Sequence, residues 1–194
     1  MKRFIHIRGS TGSGKTTTVR QYLQRTGGFS LHQITVNGKS YPFHYNKAKK
    51  ILITGVYGRR ICDGCDGIIT NRDIMLGYLL KLIDTVKPEV IIFEAVLYGI
   101  TTKFGKELAD LVSERGYKYK GIVLTPPMEF CLSNIMTRNG GKRTNIESLR
   151  NKCEQAERSG KALKELGVDI EFIDTSKMRV TQLSDIIEKE LQNE

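Results

Sequence analysis

The chain is poor in what would take it across a membrane, out of the cell or into a covalent framework. No stretch of its 194 residues approaches the roughly 18 apolar positions of a spanning helix. Ahead of the first apolar run there is neither an apolar h-region nor a small-residue cleavage site, so the expected location is the cytoplasm, among reduced thiols. Cysteines number four: Cys62, Cys65, Cys131 and Cys153. Cys62 and Cys65 make a C-x-x-C, but a structural zinc site needs a second pair, and Cys131 and Cys153 stand too far apart in sequence to supply one. The C-x-x-C also sits in a Gly-Asp loop instead of opening a helix, which argues against redox catalysis and for two thiols shaping a tight turn. Repeats, low-complexity tracts and linkers are missing, so residues 1–194 are expected to form one domain with a core of its own.

Negative charge is scarce relative to positive. There are 31 Lys plus Arg against 21 Asp plus Glu, a net +10 at pH 7. Such an excess suits polyanionic partners, either a nucleotide's phosphates or a nucleic-acid backbone. A generally basic solvated surface is the plainer alternative.

What is present is concentrated near the N-terminus. Gly9, Ser10, Thr11, Gly12, Ser13, Gly14, Lys15 and Thr16 match G-x-x-x-x-G-K-[ST]. Phe4 to Arg8 ahead of them read as a short buried strand, and Thr17 to Leu23 after them as the first turns of a helix. Strand, glycine-rich turn and helix N-terminus together form a phosphate cradle: the glycines let successive N–H groups point at an anion, and the helix dipole adds positive charge. In such a cradle Lys15 reaches the β- and γ-phosphates and the Thr16 hydroxyl ligates Mg²⁺, with Thr17 beside it. ATP and Mg²⁺ are the expected small-molecule partners.

Continuous apolar runs at 4–7, 51–56, 90–93, 121–124 and 170–173 read as five strands covered on both faces. Helical patterns lie between them, at 16–24, 71–86, 102–115, 128–138, 145–166 and 180–191. This alternation predicts an α/β fold with a doubly wound, five-stranded parallel sheet. Residues 33–45, with Asn37 and Gly38 at their centre, read as a small β-hairpin inserted before the second core strand.

In a parallel sheet the C-terminal strand ends face the ligand crevice, which selects further candidates. The run Ile91-Ile92-Phe93 ends on Glu94, where motor and switch proteins carry Asp. Glu94 is a candidate for ligating Mg²⁺ or orienting an acceptor, or else a strand-end cap. After the second core strand come Tyr57, Arg59, Arg60, Asp63 and Asp66. A kinase needs a carboxylate beside the acceptor hydroxyl, and Asp66 is the first candidate and Asp63 the second. Asp63-Gly64 and Asp66-Gly67 would also make ordinary turns. Arg59 and Arg60 suit substrate phosphates or solvent. Tyr98 and Phe104 suit base stacking or the core. Arg138, Asn139, Gly140, Gly141, Lys142 and Arg143 have the composition of a mobile cationic lid over 138–145. Asp174 and Thr175, after the last strand, are placed to border an adenine.

Over nearly its full length the chain resembles small P-loop kinases of the nucleotide-kinase group, and within them the phage-encoded 5-hydroxymethyluracil DNA kinases. The matches are Ile7 to Thr16; Gly55-Val56-Tyr57-Gly58 running into Cys62 to Gly67; and Ile92-Phe93-Glu94-Ala95 leading into Tyr98-Gly99. The resemblance implies transfer of the γ-phosphate of ATP to the 5-hydroxymethyl group of a modified pyrimidine in DNA, with Lys15, Asp66, Asp63 and Arg138 in catalytic roles. The chain departs from the pattern at Asp63 and Ala95, where glycine is expected. A nucleoside-monophosphate or small-metabolite kinase, a polynucleotide end kinase and a nucleotide-binding adaptor are the competing readings.

Overall fold

The computed structural model describes residues 1–58, 63–65, 69, 71–141 and 144–192. β1 (Lys2–Gly9) is the central strand, and its near-continuous apolar run is what a strand covered on both faces requires. It pairs in parallel with β5 (Val90–Glu94) on one side and β6 (Tyr117–Leu124) on the other. β4 (Ile51–Thr54) extends the sheet beyond β5, and β7 (Ile170–Ile173) extends it beyond β6, both in parallel. These are the five strands expected. The hairpin β2 (Ser30–Val36) and β3 (Lys39–Asn46) joins antiparallel at the β4 edge, giving seven strands in the order β2-β3-β4-β5-β1-β6-β7. The turn holds Asn37 and Gly38 at positive φ, as a two-residue hairpin demands.

Helices cover both faces. Phe4, Phe93 and Tyr119 point to the side carrying α2 (Arg72–Val86), α4 (Thr102–Ser113) and α6 (Ile146–Glu165). Ile5, Ile7 and Ile92 point to the side carrying α1 (Lys15–Thr26) and α7 (Asp185–Gln192). Asn71 caps α2 by accepting the Asp73 and Ile74 N–H groups, and Asn145 caps α6 by accepting that of Ser148. No helix of the described residues is long and apolar enough to cross a membrane.

Apart from shifts of a few residues at element ends, the structure differs from expectation in β6, in an added helix and in the last helix. β6 begins at Tyr117 instead of Gly121, because Tyr117 to Lys120 alternate buried and less buried positions and form no continuous apolar run. A short α3 (Val96–Gly99) follows β5. The last predicted helix breaks into a 3₁₀ turn at Val180–Gln182 and α7. α5 (Met128–Arg138) falls where predicted.

Two buried polar side chains tie these elements together. Arg8, 0% exposed on the Phe4 face, donates through Nη2 to Ser159 Oγ on α6 at 2.8 Å and to the Thr101 carbonyl at 3.2 Å. Tyr78 of α2 donates to the Pro42 carbonyl on β3 at 2.7 Å and accepts the Gly55 N–H beyond β4 at 3.1 Å. Burial holds its phenol pKa well above the ordinary value, so it stays protonated. Tyr78→Phe strands both backbone groups and is expected to cost about 2–4 kcal/mol in urea unfolding. A loss below half a kilocalorie would mean that water replaces the hydroxyl.

Candidate functional site

β1 ends at Gly9, and Ser10 to Gly14 turn the chain into α1. Gly12 sits at φ 82°, and a Cβ there would run into the Cys131 carbonyl, so both backbone and space require glycine. Gly14, at φ 98°, is the N-cap of α1. It offers no side-chain cap, and the first turn holds no acid. The first N–H groups and the positive end of the dipole are thus left to an anion. Lys15, 3% exposed, donates from Nζ to the Ser10 carbonyl at 2.7 Å, and the Ser13 hydroxyl donates to the same oxygen at 2.9 Å. Asn134 of α5 donates to the Gly12 carbonyl at 2.8 Å. Thr175, just after β7, donates to the Ser13 carbonyl at 2.9 Å.

Beside this turn stands Glu94, 1% exposed at the end of β5. Its Oε1 accepts from the Thr16 hydroxyl and its Oε2 from the Tyr57 hydroxyl, each at 3.4 Å. Burial and the adjoining Glu94 raise the Tyr57 pKa well above its ordinary value, which keeps the phenol a neutral donor. The Tyr57 N–H donates to His44 Nε2 on β3 at 3.3 Å. Burial lowers the His44 pKa against the opposing pull of Asp63, so the imidazole that accepts this hydrogen bond is neutral. The hairpin thereby supports the loop after β4. Asp63 in that loop forms an ion pair with Arg20 of α1, whose Nε lies 2.6 Å from Oδ2, and the same oxygen accepts the Gly58 N–H at 2.9 Å.

These groups enclose a cavity of about 390 Å³. Of the residues singled out from sequence, Thr11, Gly12, Gly14, Lys15, Thr16, Thr17, Asp63, Glu94, Arg138 and Thr175 line it. Gly9, Ser10 and Ser13 lie outside that wall and shape the turn, and Tyr57 stands behind Glu94. Two expectations are corrected. Tyr98 is 7% exposed and packs on Phe104 at 4.8 Å between ring centroids, so it belongs to the core and not to a stacking surface. Asp174 is engaged by the N–H and hydroxyl of Ser176, which lower its pKa, and caps a 3₁₀ turn instead of lining the cavity. Lys103 lines a separate cleft on α4. Arg59, Arg60, Asp66, Lys142 and Arg143 lie outside the described residues. Sequence reasoning missed Arg20, Phe130, Asn134, Met178 and Leu183 on the wall. Arg20 carried a usable signal, since it lies four positions after Thr16 and hence on the same face of α1.

Thr16 and Glu94 present the oxygen donors a hard cation prefers. Among the described residues no group of three or more His, Cys, Asp or Glu could hold a metal by itself. A Mg²⁺ here would therefore take its remaining ligands from phosphates and water, which is its usual habit.

The mostly parallel sheet with a glycine-rich turn at its switch point is an α/β fold of the P-loop nucleotide-kinase type. A Deinococcus radiodurans tunicamycin resistance protein is similar at TM-score 0.56 and 13% identity, over 99% of this chain and 96% of that one. Deoxyadenosine kinase from M. mycoides is similar in two structures. That with bound dATP gives TM-score 0.51 at 14% identity and that with bound dCTP 0.50 at 16%, each over 98% of this chain and 100% of the other. At these identities the likeness is one of fold. No protein-family model and no curated protein sequence matches the chain.

Gly12→Ala and Gly38→Ala separate backbone strain from collision at the turn. Gly38, at φ 76°, has open space around its would-be Cβ. It should cost about 1–2 kcal/mol in urea unfolding, and Gly12→Ala at least about 1 kcal/mol more, because α5 must move as well. Equal losses would show that α5 yields freely.

Proposed function

We propose that the chain is an ATP-dependent kinase whose acceptor is a hydroxyl of a modified pyrimidine, 5-hydroxymethyluracil, in DNA, a step in phage DNA hypermodification. The supporting observation is that one cavity is lined by both the phosphate-type turn, through Gly12, Gly14, Lys15, Thr16 and Thr17, and a carboxylate of the loop after β4, Asp63. The first suits a phosphate donor, and the second brings the loop that carries the candidate base to the same cavity. The domain is read as the whole of residues 1–194, with a lid over 138–145.

In this reading the backbone of the turn and Lys15 hold the ATP phosphates, and Arg138 closes on them from α5. Thr16 and Glu94 hold Mg²⁺, which when bound neutralises charge on the phosphate oxygens. The acceptor oxygen forms a bond to the γ-phosphorus, the bond to the β-bridging oxygen breaks, and ADP leaves. The hydroxyl proton passes to a carboxylate. Asp63 already forms an ion pair with Arg20 and suits the task of aiming that guanidinium at phosphate. Asp66 is therefore the favoured base. Reaching a base hydroxyl requires unstacking it, at a cost of a few kcal/mol. Arg59, Arg60, Lys103, Lys142 and Arg143 would grip the strand, drawing on the +10 net charge.

A second reading is a kinase for a free small acceptor. It is favoured by the likeness of fold to a deoxyadenosine kinase. A polynucleotide end kinase shares the cationic surface, and an adaptor that binds ATP without transfer is the non-enzymatic reading.

The test is transfer of label from γ-labelled ATP, with Mg²⁺, to hydroxymethyluracil-containing DNA, to unmodified DNA with free 5′ ends, and to free nucleosides and nucleotides. Label on internal residues of the modified DNA is expected, falling steeply between about 50 and 200 mM salt. Lys15→Ala should lower the rate at least about 10²-fold, and Asp66→Asn about 10²–10⁴-fold. Label on free acceptors alone would sink the DNA reading, label on strand ends would make this an end kinase, and ATP binding without transfer would leave the adaptor.

A further inference from the structure

Two thiols that are distant in sequence meet beneath the glycine-rich turn. Cys131 lies in α5 and is fully buried, whereas Cys153 lies in α6 and is partly exposed. Both converge on one hydroxyl. The Cys153 thiol donates to Ser10 Oγ at 3.2 Å, and Cys131 Sγ lies 3.5 Å from the same oxygen. The neighbouring Cys131 thiol draws the Cys153 pKa below the ordinary thiol value, and the Ser10 hydroxyl and the Lys15 ammonium act in the same direction. The neighbouring Cys153 thiol, with burial, pushes the Cys131 pKa up. The accessible sulfur is thus the better thiolate and the buried one its neighbour in reserve. Ile135 and Leu149 pack around the pair, and Arg138 lies in the sequence between the two cysteines.

We propose that Cys131 and Cys153 form a peroxide-reactive thiol pair that closes into an intramolecular disulfide between α5 and α6. The oxidant is a hydroperoxide. The Cys153 thiolate attacks one peroxide oxygen, the O–O bond breaks, and Cys153 becomes a sulfenic acid while the other oxygen leaves as hydroxide and takes a proton. Cys131 sulfur, giving up its proton, then attacks Cys153 sulfur. The S–S bond forms and the sulfenic oxygen leaves as water. In sum two thiols and one hydrogen peroxide give one disulfide and two waters. The disulfide fixes α5, which carries Asn134 and Arg138 at the cavity, against α6.

The experiment treats the full reduced chain with hydrogen peroxide, blocks free thiols with iodoacetamide and maps tryptic peptides by mass spectrometry. The expected product links peptide 121–138 to peptide 153–158 and is released by dithiothreitol. Cys62 and Cys65 share peptide 61–72 and so are read separately. The oxidised chain should melt about 5 °C higher than the reduced one. In Cys131→Ser, oxidation should stop at a sulfenic acid on Cys153 that dimedone captures, and Cys153→Ser should show neither link nor adduct. The proposal is overturned if both thiols remain alkylated after peroxide. It is equally overturned if Cys153 passes to sulfinic acid unlinked, or if the links run to peptide 61–72 or between chains. None of these readouts needs ATP or an acceptor, so the result stands apart from the kinase reading.

Discussion

The turn from β1 into α1 is the constraint on which the rest of the structure depends. A strand buried on both faces has to deliver the chain, within a few residues, into a helix whose first N–H groups stay open to an anion. Glycine at positive φ makes the bend possible. The bend is then held from several sides, by the Lys15 ammonium and Ser13 hydroxyl on the Ser10 carbonyl, by Asn134 from α5 and by Thr175 from beyond β7. Because β1 is central and its neighbours run parallel, register carries other groups to the same place. Ile7 pairs with Glu94 on β5 and Gly9 with Leu124 on β6, so both adjoining strands end at the turn.

The cavity keeps the cationic excess of the chain but places paired carboxylates within it. The chain is strongly cationic, and its cavity sets two carboxylates, Glu94 and Asp63, each with a defined set of donors, among the cations Lys15, Arg20 and Arg138. A neutral phenol and a neutral imidazole back them, and burial keeps both neutral. The β2–β3 hairpin is part of this support and not an ornament at the sheet edge. His44 holds the Tyr57 N–H, and Tyr78 fastens the hairpin to the start of the loop after β4. The thiol pair under Ser10 adds a third layer, linking the base of the turn to α5 and α6.

Much of the fold was legible because its signals are local. The five parallel strands are continuous apolar runs, the helices between them carry apolar stripes and asparagine caps, and the hairpin announces itself by Asn37 and Gly38. The start of β6 was hidden because Lys118 and Lys120 interrupt its apolar run, although their alternation is itself the pattern of a strand. Tyr98 and Asp174 show the limit of reading roles from position alone. An aromatic or a carboxylate next to a strand end turns toward the site or away from it according to packing, and here the one turned into the core and the other onto its own turn.

The sequence by itself determined the phosphate-type turn, the order of strands and helices and the excess of positive charge, since each depends on neighbours a few residues apart or on composition. Only the tertiary structure decided which distant groups share a hydrogen bond. Arg20 meets Asp63, Glu94 stands between Thr16 and Tyr57, and Cys131 and Cys153, too far apart in sequence to read as a pair, meet on Ser10. Each of these contacts spans long stretches of chain. Sheet register and helix packing bring the groups within about 3 Å, and no local pattern encodes that proximity.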